Sequence, residues 1–195
     1  MTTASAIARG AAAGIVVGIS GASGTLIGVR LLEALRTLGV TAYLVMTSTA
    51  RRVAEHELAR PAAAIAGLAT RDFAPDDLTA PIASGSFPTR GMIVAPCSMK
   101  TLAGIASGYS DNLLLRAADV CLKERRPLVL ITREAPLSLI HIENMRRVAR
   151  AGGIVLPAVL TTYSGATDLD SMIGHIVGRA LDLAGVDNDL YHRWG

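Results

Sequence analysis

Residues 14–30 read GIVVGISGASGTLIGVR, and this stretch decides the fold. The run Ile15-Val16-Val17 is apolar at consecutive positions, as in a strand covered on both faces of a parallel sheet. Ser20, Gly21, Ala22, Ser23 and Gly24 follow, all of them small. Ile27, Leu31, Ala34, Leu35 and Leu38 then recur at helical spacing and form one apolar stripe. A strand, a tight turn and a helix start together favour an anion, because free N–H groups and the helix dipole point at whatever sits there. The glycines are spaced G-x-x-G, unlike the G-x-G-x-x-G of dinucleotide folds. The hydroxyls of Ser20 and Ser23 are expected to face the anion. Small residues would equally serve close packing of helix on strand, so a phosphate or flavin site and a purely structural turn both stay open.

Outward from this stretch, 195 residues suit one domain with a substantial core. Half the chain is hydrophobic and only 4% aromatic, which favours aliphatic helices packed closely on a sheet. Charged residues interrupt every apolar run before it reaches membrane-spanning length. Residues 1–13 are Ala-rich and read as a disordered leader, leaving 14–195 as a single domain. The net charge of +3 is small and the basic residues are scattered without aromatic interleaving, so nucleic acid is a poor candidate partner. Cys97 and Cys121 form no C-x-x-C and no disulfide framework, which fits a reducing cytoplasm.

Strands are expected at 40–46 (VTAYLVM), 91–95 (GMIVA), 127–132 (PLVLIT) and 153–156, with helices between them. Thr47-Ser48, Ser98 and Asp111-Asn112 read as helix caps. Residues 59–90 hold four prolines and the run Ser84-Gly85-Ser86, and read as a long exposed loop. The β-α alternation predicts a doubly wound α/β fold, a three-layer sandwich around a parallel sheet with right-handed crossovers.

In such sheets ligands bind beyond the carboxyl ends of the strands. Those ends carry residues 20–24, then Thr47-Ser48, then PCSMKT at 96–101, then Arg133-Glu134, then Tyr163. An Arg-Glu pair is not needed to stop a strand. On the helix after residue 112, Arg116, Asp119 and Lys123 share one face, either a solvated charged stripe or an anion clamp. His56, His141, His175 and His192 stand alone, without metal-ligand spacing, and read as surface or packing residues. Cys97 has no nucleophile elbow around it. No P-loop lysine and no D-D-x-x-D of magnesium-dependent prenyl diphosphate enzymes occurs, and no metal is expected.

GISGASG, the block from 96 to 145 (PCSMKTLAGIASGYSDNLLLRAADVCLKERRPLVLITREAPLSLIHIENM), Tyr163 and the closing RWG together resemble the flavin prenyltransferases of the UbiX type. The resemblance runs from about residue 14 to 194. It implies a flavodoxin-like, Rossmann-like fold and a homo-oligomer, usually a dodecamer of trimers. It also implies a metal-independent reaction joining the dimethylallyl group of dimethylallyl phosphate to N5 and C6 of reduced FMN. The prenylated FMN would serve a separate UbiD-type decarboxylase. By the same resemblance Gly21, Ala22 and Ser23 contact FMN, with Thr47 where the family usually has Ser. Ser98, Met99, Lys100 and Thr101 hold the flavin, and Arg133 lies at its junction with the prenyl phosphate. Lys123, Glu134, Tyr163 and Arg179 surround that phosphate, often across a subunit boundary. Arg116 belongs to the same patterned helix, Glu57 matches an acidic residue near N5, and Trp194 an aromatic that covers the site. Many members read F-Y-H-x-P around the tyrosine, whereas this chain has Thr162-Tyr163-Ser164-Gly165-Ala166.

The resemblance implies a chemistry for these residues. Lys123, Arg133 and Arg179 would stabilise the departing phosphate, and Glu134 would carry its proton. Glu57 or Ser23 would manage the N5 and C6 protons. Two other readings compete: an FMN-dependent decarboxylase of the cysteine or phosphopantothenoylcysteine type, and a non-catalytic flavin-binding accessory subunit of an aromatic acid decarboxylase. The former uses a catalytic histidine and a P-A-S-A-N-T turn, where this chain has Glu57 and PCSMKT. The latter would not need Lys123, Glu134 and Tyr163.

Overall fold

The computed structural model describes residues 13–163 and 165–194. The leader expected at 1–13 lies outside them except for Ala13, which is buried. Six parallel strands form one sheet in the order β3-β2-β1-β4-β5-β6. They are β1 (Gly14–Ile19), β2 (Ala42–Met46), β3 (Arg71–Phe73), β4 (Thr89–Cys97), β5 (Leu128–Thr132) and β6 (Ile154–Pro157). The described helices are α1 (Thr25–Thr37), α2 (Ser48–Leu58), α3 (Ala62–Ala66), α4 (Met99–Ser107), α5 (Leu113–Lys123), α6 (Leu139–Arg150) and α7 (Leu169–Leu183).

Every residue of β1 is buried, as its unbroken apolar run predicts. Ile15, Val17 and Ile19 face one core, shared with α1, α2 and α7, while Val16 faces a second core, shared with α4 and α5. These two layers make the sandwich. Because β2 and β3 lie on one side of β1 and β4 to β6 on the other, the strand order reverses between β1 and β4. The crevice beyond that reversal is where a doubly wound sheet takes its ligand.

The long loop expected at 59–90 is instead largely structured. Pro61 precedes the short helix α3, β3 pairs with β2, and residues Pro81–Ala83 form a 3₁₀ turn. Ile65, Phe73 and Ile82 from this segment are buried. Five- and three-residue elements are too short to show a period, which hid them among the prolines. The run 84–86 is tethered as well: Arg126 donates to the Gly85 and Phe87 carbonyls at 2.6 and 2.9 Å.

Candidate active site

Ser20 stitches the crevice together. Its Oγ donates to the Pro96 carbonyl at 2.9 Å and accepts from the Ser98 N–H at 2.7 Å, and the side chain is fully buried. It therefore does not face a ligand, contrary to the expectation from residues 20–24. The reason is local, since two parallel strands ending side by side leave backbone groups that need partners.

The α1 start is not a free anion site either. Gly24, at φ 94°, adopts a left-handed conformation and offers no capping side chain. Glu57, from the last turn of α2, takes that role: its carboxylate accepts from Gly24 N–H at 3.1 Å and from Thr25 N–H at 3.0 Å. Partial burial would raise its pKa, but hydrogen bonds from Ser23 and from the Thr25 and Gly24 amides outweigh that and leave Glu57 below its ordinary value. Ser23 and Glu57 are thus brought together as one cluster, with the carboxylate held ionised.

A cavity of about 550 Å³ opens in the crevice, within the range of cofactor sites. Gly21, Thr47, Ser98, Lys100 and Thr101 line it. Met99 is buried beneath, packed in the second core, and Ala22 is buried as well. Thr47 and Ser98 accept from the N–H groups of Ala50 and Thr101, so they cap α2 and α4, both of which begin at the cavity. Asn112 caps α5 in the same way, at 3.0 Å from Leu115 N–H, and also lines the cavity. Sequence reasoning found all three as caps but assigned only Thr47 and Ser98 to the site. Thr49, Asp76, Tyr109, Asp111 and Asn112 were missed as lining residues. The signal available for them was topological: helix starts collect at the ligand-binding edge of such a sheet. Hydroxyls, one ammonium and helix N-termini suit a phosphate. The donor set fits FMN.

The remaining predicted residues lie apart from the cavity. Arg133 and Glu134, just after β5, are exposed, so this chain alone does not supply the burial that an acidic role for Glu134 asks for. Arg116 pairs with Asp119 at 2.7 Å and donates to the Ala83 carbonyl at 3.0 Å. Lys123 ends α5, paired with Glu124 and beside Gly85. The cap Asn112 lines the cavity, and eleven helical residues carry the chain about 16 Å from there to Lys123. Lys123 sits near the amino edge of the sheet, away from Arg133.

Tyr163, Arg179 and Trp194 meet in a third place. Trp194 packs edge-on against Tyr163, with centroids 5.6 Å apart, and Tyr163 packs against His175 at 5.4 Å. Asp182 holds the tail there. It accepts from both Nη atoms of Arg193 at 2.7 and 2.9 Å, from Tyr191 at 2.5 Å and from Asn188 at 3.0 Å. The Arg193 contact foremost, then Tyr191, holds its carboxyl down at about 2 against the opposing effect of burial. Gly178 lets the tail approach, since a Cβ there would stand 2.5 Å from the Tyr191 ring. Arg179 bonds Tyr191 and faces Asp182 at 3.4 Å. The two cysteines are buried and their thiols pushed up to about 12 by burial, which leaves them unreactive.

Comparison with known proteins agrees with this geometry. A family model described as Flavoprotein matches residues 8–180. A flavin prenyltransferase UbiX of Methanothermobacter thermautotrophicus is 49% identical over 180 residues, 92% of this chain and 94% of that protein. The structure of AnUbiX (PadA1), solved in complex with FMN and dimethylallyl pyrophosphate, superposes with a TM-score of 0.91 at 45% identity, covering 94% of this chain and 97% of that one. A dodecameric FMN-dependent UbiX-like decarboxylase of Escherichia coli O157:H7 gives 0.90 at 47% identity, covering 93% and 98%. An FMN-dependent cysteine decarboxylase, TvaF, shares only the fold, at 16% identity and a TM-score of 0.62. With its strand order, its capped cavity and this degree of identity over nearly its whole length, the chain belongs to the flavoprotein family, among the flavin prenyltransferases of the UbiX type.

Proposed function

We propose that this protein joins the dimethylallyl group of dimethylallyl phosphate to N5 and C6 of reduced FMN, and that a UbiD-type decarboxylase uses the prenylated FMN. The observation that carries this reading is the cavity at the strand-order reversal, lined by the helix caps Thr47, Ser98 and Asn112. When bound and reduced, FMN supplies the two nucleophilic ring positions. Thr47, Ser98, Lys100 and Thr101 would hold it, Gly21 and Ala22 would contact it, and Met99 would floor the site. Asp76 and Asp111 would accept from ribityl hydroxyls.

Glu57, kept ionised by three N–H and O–H donor groups, is suited to accept a proton at its carboxylate, and Ser23 to relay it. Arg133, Arg179 and Lys123 would stabilise charge building on the leaving phosphate, with Glu134 as proton carrier and Tyr163 and Trp194 covering the site. Lys123 and Arg116 would reach that site only from a neighbouring subunit. Two features support such an assembly: Leu139, Ile140 and Ile142 of α6 are 80, 72 and 50% exposed, and Trp194 is 83% exposed. We take the assembly to be a dodecamer of trimers, as the dodecameric relative suggests. Among the described residues no helix is long and apolar enough to cross a membrane. The two free cysteines support a cytoplasmic location.

The test is anaerobic incubation with reduced FMN and either dimethylallyl phosphate or the diphosphate, followed by mass analysis of the flavin. Addition of one dimethylallyl unit is expected. Unmodified flavin with both donors overturns the reading.

A further inference from the structure

Tyr163 stands on a turn closed through the backbone, the Gly165 N–H donating to the Thr162 carbonyl at 3.1 Å. The chain reads Thr162-Tyr163-Ser164-Gly165-Ala166 there, and Gly165 adopts φ 73° with open space around it. The tyrosine side chain takes its hold from another element. His175, on α7, is 5% exposed and places Nε2 3.4 Å from the Tyr163 hydroxyl, with the rings nearly perpendicular at 85°. Its other side carries Tyr191, at 4.6 Å between centroids. Among the described residues Nδ1 is buried without a partner, which costs free energy that an apolar side chain of similar size would not. A residue chosen only to fill space would be apolar here.

We propose that His175 is a positioning residue for Tyr163, holding the tyrosine from α7 through its ring and Nε2. Packed between Tyr163 and Tyr191, it also joins the placement of the tyrosine to the docking of the tail. Burial and the neighbouring Arg179, one turn along α7, both lower its pKa, so the ring is neutral near pH 7 and able to bond the hydroxyl in either direction. A contact of 3.4 Å is long for a hydrogen bond, so ring packing shares the hold. The proposal rests on the reading of Tyr163 as part of the prenyl phosphate site.

Two substitutions separate the contributions: His175→Phe keeps ring packing without the bond, and His175→Gln keeps a polar group without the ring. In the full-length enzyme, His175→Phe should raise KM for dimethylallyl phosphate about 3- to 10-fold, the size of one net hydrogen bond, with FMN affinity unchanged. His175→Gln should recover part of that. In a Tyr163→Phe background, His175→Phe should have no further effect. Trp194 is the only tryptophan, so fluorescence anisotropy without flavin reads the tail directly, and His175→Gln should increase its local motion. Wild-type KM in His175→Phe, an undiminished effect in the Tyr163→Phe background, or unchanged Trp194 motion in His175→Gln overturns the proposal. Wild-type kinetics in Tyr163→Phe alone overturns instead the reading of Tyr163, and the proposal with it.

Discussion

The cavity and the residues proposed to take the prenyl phosphate are built differently in this molecule. Around the cavity, one chain supplies the lining and the three caps, and nearby Glu57 clasps the start of α1, each held by hydrogen bonds within this chain. At the other end, Arg133 and Glu134 stand exposed, Tyr163 leans on His175 and the tail, and Lys123 lies across the sheet. A single chain is thus prepared for the flavin and unprepared for the second substrate. Flavin binding should survive damage that abolishes transfer.

The largest test of that contrast is Lys123→Ala. FMN affinity should stay nearly intact while the rate with dimethylallyl phosphate drops by roughly 10²-fold or more, the size of one charged donor on a developing anion. Were Lys123 only the solvated partner of Glu124, activity would not change. Mixing Lys123→Ala with Glu134→Gln subunits should recover activity, because some sites would then draw both intact residues from different chains. No recovery on mixing would place both residues in one chain's site and break the comparison.

Gly24→Val should come next and act on the opposite end. A β-branched residue at φ 94° is strained by about 2 kcal/mol, and calorimetry should show weakened FMN binding. Undiminished affinity would separate the α1 turn from the flavin site. Ser23→Ala is milder: the fold persists, and transfer slows by about 10-fold or more. Its pH signature is specific. The Ser23 hydrogen bond helps hold Glu57 below its ordinary value, so losing it should move the acid limb of the pH–rate profile upward. An unmoved limb would remove Glu57 from the rate.

The smallest effect belongs to the tail. Asp182 titrates at about 2 when folded against an ordinary 3.8, so its contribution, on the order of 2 kcal/mol, is complete above about pH 4. It is lost as pH falls through 2. Trp194 anisotropy should report release of the tail in that window, before the sheet unfolds. Asp182→Asn should show a looser tail already at neutral pH, with FMN affinity unaltered.

What could be read from the residues divides along the same line. β1, β2, β4 and β5 announce themselves as apolar runs, and Thr47, Ser98 and Asn112 as caps, because these features are local in sequence. The element β3 and the helix α3 are too short for any period. That Ser20 is spent on Pro96 and Ser98, or that Glu57 fills the α1 terminus, depends on partners 32 to 78 positions away. His175 reads in the sequence only as a surface or packing residue, because its neighbours, Tyr163 and Tyr191, are close only after folding.

The close approach at Gly178 has a consequence for how such a chain can change. A glycine inside a helix costs about 1 kcal/mol relative to alanine, yet alanine here would put a methyl group 2.5 Å from the Tyr191 ring. Position 178 and the last turn of the chain are therefore one unit of variation. Descendants that lose the aromatic at 191 become free to strengthen the helix with alanine. Having done so, they cannot take back the docked tail without first reversing the change at 178.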